Sequence, residues 1–325
     1  MILTKSDFRI AWWGLIIFIL SGCGPKPSPL IISDYDRYMF RSILKRETPE
    51  VRFFDAYDST PIACTIVKPQ TDPLGIVLVI HGIGVRAKAY LSLADSLAQE
   101  GYITYLMDIR GHGHSGGESG DAPADSSLLK DARDFYQFTI GRESRDLPVV
   151  AVGHSLGTYI WTATLSVFNE VRVDGLILIA GGIQQDKKVK DRSPTPDTDF
   201  IYLHKLELLA SFILPGMKPV EVVLPDEPMS EGQGLVSRYS LNFFKSLDIG
   251  DDYLSMFYKK YGGPILLISG ELDEVMPADR VRDTFKMSES HDKTLVMKDD
   301  ATHTSIIWDG TPDIVTWLDD RFGLE

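Results

Sequence analysis

Val149-Val150-Ala151-Val152-Gly153-His154-Ser155-Leu156-Gly157-Thr158-Tyr159-Ile160 passes from an unbroken apolar run, through a pentapeptide of the form G-x-S-x-G, into a segment with helical spacing that continues to Phe168. Val149 to Val152 reads as a strand and Ser155 to Phe168 as a helix. Between them the glycines let the backbone turn sharply, and the turn lifts the Ser155 hydroxyl above the sheet at a helix N-terminus. A serine hydroxyl is a weak nucleophile by itself. The reading therefore requires a histidine base and an acid to orient it, supplied from elsewhere in the chain.

Outward from this turn the chain alternates strands and helices. Val51 to Phe54 and Ile62 to Val67 read as two antiparallel opening strands, and Gly75 to Ile80 as an apolar run buried on both faces. Helix Ala87 to Gln99, strand Ile103 to Met107, helix Leu128 to Ile140 and strand Leu176 to Ala180 follow, with the elbow's own strand and helix between the last two. After an interruption come strand Ile265 to Ser269, helix Ala278 to Met287, strand Thr294 to Met297 and helix Ile306 to Phe322. The expectation is an α/β fold with an eight-stranded, mostly parallel sheet and helices on both faces.

The interruption, residues 182–263, follows the sixth strand and is too long for a bare loop, so it is expected to form a cap with structure of its own. Phe200 to Leu214 reads as a helix with polar His204, Glu207 and Ser211 on one side and a wide apolar face opposite, which includes Leu209 and Phe212. The aromatic residues Tyr239, Phe243, Phe244, Tyr253, Phe257 and Tyr258 are expected mainly to pack the cap onto the main sheet.

Downstream, Gly270-Glu271-Leu272-Asp273 and Asp299-Asp300-Ala301-Thr302-His303 each follow a strand, which puts Asp273 and His303 at the sheet edge where Ser155 emerges. Asp299 and Asp300 sit too near His303 in sequence to be preferred as its acid. His81-Gly82-Ile83-Gly84 follows the strand Gly75 to Ile80, and its Ile83 N–H can pair with that of Leu156 as donors to an oxyanion. His81 and His154 read as structural. The histidines of Asp108-Ile109-Arg110-Gly111-His112-Gly113-His114-Ser115 lack the Cys or carboxylate cluster of a metal site.

Together HGIG (81–84), DIRGHGHSGG (108–117), GHSLG (153–157), GELDEVMP (270–277) and the final His303 resemble the α/β-hydrolase superfamily, in its monoacylglycerol lipase, lysophospholipase and serine-aminopeptidase-like branch. The resemblance extends over residues 50–322. It implies a hydrolase core of residues 50–181 and 264–325, a structural loop at Asp108 to Ser115, and a triad in the order Ser155, Asp273, His303. The implied reaction is hydrolysis of carboxylic esters, monoacylglycerol- or lysophospholipid-like, through an acyl-enzyme with no metal or cofactor. In a protein kept near lipid, the apolar face with Leu209 and Phe212 is then expected to line the acyl path. A peptidase of the serine aminopeptidase type is the alternative; it would need a carboxylate pocket, for which Glu221, Asp226, Glu227 and Glu231 are candidates. A non-catalytic lipoprotein scaffold is a third reading, but a scaffold has no need of all three triad residues.

The net charge of −13, from 33 basic and 46 acidic residues, disfavours a nucleic-acid partner. Cys23 and Cys64 are the only cysteines, too few for a disulfide framework, and Cys64 lies in an apolar run that suits core packing. Lys5 and Arg9 precede the uncharged run Ile10 to Leu20, whose eleven residues fall short of the roughly 20 needed to span a bilayer. Leu20-Ser21-Gly22-Cys23 follows and resembles the lipobox of bacterial lipoproteins. Residues 1–22 are therefore expected to be a signal peptide and Cys23 a lipidated N-terminus, with residues 23–49, including Pro25, Pro27 and Pro29, as spacer and lead-in. The expected location is the bacterial cell envelope, lipid-anchored; Gly24 stands where the lipoprotein resemblance associates an Asp with inner-membrane retention, which leaves the outer membrane open in a Gram-negative source.

Overall fold

The computed structural model describes residues 33–143, 146–182, 201–211, 213–223, 235–249 and 251–323. The expected signal peptide, Cys23 and proline spacer lie outside these residues, as do Phe212, the side chain of Leu209, Asp226, Glu227 and Glu231. Among the described residues, no helix is long and apolar enough to cross a membrane.

The first described element is a helix, α1 (Asp34–Lys45), within the stretch expected to be a spacer. A reciprocal cap starts it: Asp36 N–H donates to Ser33 Oγ at 3.0 Å, and Ser33 N–H donates to the Asp36 carboxylate at 3.2 Å. Phe40 and Ile43 bury its inner face, Phe40 meeting Trp308 edge-on with ring centroids 5.3 Å apart.

The hydrolase-like body follows the expected order. β1 (Glu50–Asp55) and β2 (Pro61–Val67) form the antiparallel opening pair, and β3 (Gly75–Ile80), α2 (Leu91–Gln99), β4 (Tyr102–Met107), α3 (Ser127–Arg142), β5 (Val149–His154), α4 (Leu156–Val167) and β6 (Gly175–Ile179) come next. β10 (Ile265–Gly270), α8 (Ala278–Met287), β11 (Lys293–Lys298), α9 (Ile306–Asp309) and α10 (Thr311–Phe322) complete it. The eight strands lie in the order β1-β2-β4-β3-β5-β6-β10-β11, all parallel except where β2 meets its neighbours. Helices cover both faces, as the continuous apolar strands require. In β3, Ile76, Leu78 and Ile80 enter the core shared with α3 and α4, while Val77 and Val79 enter the one shared with α1, α2 and α10.

Two long helices of the sequence reading are each divided. Ala87–Tyr90 is a 3₁₀ turn that precedes α2, and Gly310 separates α9 from α10.

Between β6 and β10 stand β7 (Ile201–Leu203), α5 (Lys205–Ser211), β8 (Val220–Val222), β9 (Arg238–Tyr239), α6 (Leu241–Lys245) and α7 (Asp251–Lys260). The helix expected over Phe200 to Leu214 is therefore shorter. Ile201 and Leu203 pair instead with Val222 and Val220 of β8, in a three-stranded antiparallel sheet where β-branched neighbours suit a pleated surface. Ser211, expected on a polar face, is buried and donates to Leu208 O at 2.7 Å. Tyr239, Phe243, Phe257 and Tyr258 are buried in the core shared with α3 and α4, whereas Tyr253 is exposed.

Candidate active site

The strand order reverses at β3, with β4 on one side and β5 on the other, so the crevice at their C-terminal ends is where such sheets place ligands. His81 to Gly84 and Ser155 both emerge there.

Ser155 adopts φ 51° and ψ −115°, a conformation a non-glycine residue rarely holds. Its N–H donates to Ile179 O at 2.9 Å, and its carbonyl accepts from Thr158 N–H at 3.0 Å and Thr158 Oγ1 at 2.7 Å. The flanking glycines are needed for space. A Cβ on Gly153 would stand 2.5 Å from the Gly157 backbone, and one on Gly157 would stand 2.1 Å from Ile80 O. The elbow thus packs against the strand that leads into the His81–Gly84 turn. A Cβ on Gly82 would stand 3.3 Å from Ser155 Cβ, which places that turn directly beside the serine.

His303 Nδ1 lies 3.0 Å from each carboxylate oxygen of Asp273. Both residues are buried, and Asp273 Oδ1 also accepts Val275 N–H at 2.9 Å and Met276 N–H at 2.6 Å. With its oxygens turned to these donors, the carboxylate accepts from His303 Nδ1, which places the ring proton on Nδ1 and leaves the Nε2 lone pair free. Asp299 and Asp300 are exposed, and among the described residues neither bonds His303. Glu274, next to Asp273, accepts His303 N–H at 3.1 Å, and burial pushes its carboxyl above the ordinary glutamate value.

A chain of hydrogen bonds joins the His81–Gly84 turn to the His303 loop. Gly82 N–H donates to Tyr90 Oη at 3.1 Å, Tyr90 Oη lies 2.7 Å from His154 Nδ1, and His154 Nε2 lies 3.0 Å from His303 O. Burial holds His154 well below its ordinary pKa, so the ring is neutral. Since only a ring N–H can serve a carbonyl, His154 carries its proton on Nε2 and accepts from the tyrosine. His81 is likewise held neutral by burial; Ile109 N–H donates to its Nε2 at 2.9 Å, and its Nδ1–H donates to Gly82 O at 2.7 Å. Because the peptide is planar and trans, fixing Gly82 O also aims the Ile83 N–H on its far side. Among the described residues that N–H has no hydrogen-bond partner.

The loop 108–117 braces these turns. Asp108 accepts Ala87 N–H at 2.8 Å and His114 N–H at 2.9 Å, while Arg110 pairs with Asp131 at 2.6 Å and Asp58 at 2.7 Å. His112 uses one ring nitrogen on Arg110 O and the other on Tyr239 Oη. Cys64 is buried, which pushes its thiol up to about 12.

Ser155, Leu156, Ile83, Asp273 and His303 therefore share one sheet edge, with Asp273 and His303 in direct contact. Tyr90, Glu274 and Tyr239 were not singled out by sequence reasoning as supports of the site. Glu274 had a signal in its adjacency to the acid, whereas the tyrosines are joined to the site only by folding.

A family model described as serine aminopeptidase, S33, matches residues 71–307. Monoacylglycerol lipase of Mycolicibacterium smegmatis is 35% identical over 89 residues, covering 27% of this chain and 31% of the relative, so the match spans less than a third of that enzyme's length. Mouse monoglyceride lipase is 23% identical over 255 residues, 76% of this chain and 80% of the relative. A soluble variant of yeast monoglyceride lipase, solved with a substrate analogue, superposes with a TM-score of 0.65 at 19% identity, over 85% of this chain and 97% of that one. At that identity the likeness speaks for the fold alone.

Proposed function

The chain belongs to the serine aminopeptidase S33 family, and from that footing we propose that it hydrolyses carboxylic esters of the monoacylglycerol or lysophospholipid kind, with Ser155, His303 and Asp273 as its catalytic triad. His303 Nε2 takes the Ser155 proton as Oγ attacks the ester carbonyl. The Ile83 and Leu156 amides then receive the negative charge on the carbonyl oxygen. His303 returns the proton to the leaving alcohol, and a water activated the same way releases the acid and frees Ser155. Asp273 orients the imidazole and stabilises its charged form.

The observation that carries this reading is the two-oxygen contact between Asp273 and His303 Nδ1, beside a serine in elbow geometry. A serine kept at positive φ is costly to maintain for packing alone. The peptidase reading has less support, since the described member of its carboxylate set, Glu221, is engaged by His204 Nε2 at 2.7 Å.

The substrate preference we assign is for medium or longer acyl chains, taken along a cap formed by residues 182–263, with Leu209 and Phe212 on the acyl path. Exposed Ile213 and Leu214 at the end of α5 favour a lipid-facing cap. Lipidation at Cys23 would hold the enzyme at a membrane of the cell envelope, near such substrates. A chain-length series of p-nitrophenyl esters and monoacylglycerols tests the assignment, with Ser155→Ala and His303→Ala each expected to lose about 10³-fold or more in turnover. Wild-type turnover by either variant would overturn it.

A further inference from the structure

Four groups hold the backbone around Ile83, and two of them come from the segment between β6 and β10. Tyr90 takes Gly82 N–H, His81 takes Gly82 O, and Tyr239 of β9 takes Gly84 N–H at 2.9 Å. Val236, also in that segment, donates its N–H to Gly84 O at 3.1 Å. Both polar groups of Gly84 are thus fixed from the inserted segment, at a residue whose φ of 80° places the chain in a turn.

The Tyr239 side is built with care for its one proton. Its hydroxyl lies 2.8 Å from His112 Nε2 and 3.0 Å from Val236 O. Burial brings the His112 pKa down to about 3, so the ring is neutral, and its single N–H goes from Nδ1 to Arg110 O. The Tyr239 proton therefore goes to His112 Nε2 or Val236 O, and an oxygen lone pair is left for Gly84 N–H. The ring is fully buried and packs on Phe243 with centroids 4.7 Å apart.

We infer that Tyr239 is a positioning residue for the oxyanion turn: through Gly84 it makes the aim of the Ile83 N–H depend on how residues 235–249 are seated. The inference rests on the ester-hydrolase reading above. Tyr239 touches no reacting atom. It fixes the peptide plane that follows Ile83, while Tyr90 and His81 fix those before it, so the donor's direction is bracketed from both sides. Hydrogen bonds weaken steeply with misalignment, and losing an oxyanion donor outright typically costs about 10²–10³ in kcat. A donor left in place but loosened should lose less.

The test is Tyr239→Phe in the full chain, which keeps the ring and its contact with Phe243. On p-nitrophenyl acetate and decanoate, kcat should fall about 10- to 100-fold to the same degree, with KM within about twofold. The inhibition constant of a trifluoromethyl ketone, which forms a tetrahedral adduct with an active-site serine, should rise in step with the loss in kcat/KM. Phe243→Leu disturbs the same packing but keeps the hydroxyl, and should hold kcat near wild type. An unchanged kcat in Tyr239→Phe, a loss confined to KM or to decanoate, or an equal kcat loss in Phe243→Leu would each overturn the inference. A wild type that hydrolyses no ester would bring down the hydrolase reading and this inference together; an active wild type with an unaltered Tyr239→Phe brings down this inference alone.

Discussion

Asp273 presents both carboxylate oxygens to Nδ1 of His303, each at 3.0 Å, and is itself held by the N–H groups of Val275 and Met276. An acid mounted this way cannot swing away from the ring, so the imidazole keeps one tautomer and one orientation. Asp273→Asn should therefore lower kcat by about 10⁴-fold on any ester substrate, because an amide can present its NH₂ to Nδ1 and stabilise the wrong tautomer. Asp300→Asn, at an exposed position, should stay near wild type. Steady-state kinetics of the two variants side by side decide the matter; a severe Asp300→Asn with a mild Asp273→Asn would reassign the acid.

Ser155 stores backbone strain at φ 51° and ψ −115°. Glycine reaches that region without a Cβ penalty, so Ser155→Gly should unfold at a higher urea concentration than Ser155→Ala, by about 1 kcal/mol or more. Both variants should be inactive. Equal midpoints would mean the elbow is relaxed.

Three histidines, His81, His112 and His154, are buried and kept neutral by desolvation. Their pKa values in the folded state are depressed, so the unfolded chain binds their protons first. Stability is then intact above the unfolded value near 6.5 and declines as pH falls below it. His114 acts in the opposite sense, because its hydrogen bond to Asp108 raises its pKa, and it offsets part of the decline. Urea midpoints between pH 7.5 and 5 should fall with acidification. A flat profile would contradict the neutral assignments.

The eight strands and the elbow were legible because the strands are continuous apolar runs and the elbow's residues are adjacent. Segments whose structure depends on distant partners were not. Ile201–Leu203 continues into a helical stretch, and only pairing with Val220–Val222 makes it a strand. α1 begins with a capping box at Ser33 and Asp36, in a stretch whose preceding prolines read as an extended spacer. Tyr90 and Tyr239 reach His154 and Gly84 across 64 and 155 residues, separations at which no local pattern betrays a hydrogen bond. Asp273 and His303, 30 residues apart, are legible because each follows a strand and their order after Ser155 places them at one sheet edge.

The proposed anchor makes a separate prediction. A single acyl chain binds a bilayer only marginally, whereas a lipoprotein cysteine carries several, so wild type should fractionate with membranes and Cys23→Ser should either be released or stay unprocessed. Labelled palmitate should enter the wild type and not the variant. Absence of label in wild type would remove the lipoprotein proposal while leaving the enzyme proposal standing.

The most direct test of the proposed chemistry is covalent labelling of the purified full chain with a fluorophosphonate, read by peptide mass spectrometry. Attack by an activated serine should add one phosphonyl group at Ser155, abolish ester turnover in proportion, and fail in Ser155→Ala and His303→Ala. A wild type that stays unlabelled, or is labelled at another residue while turnover persists, would contradict the assignment of Ser155 as nucleophile.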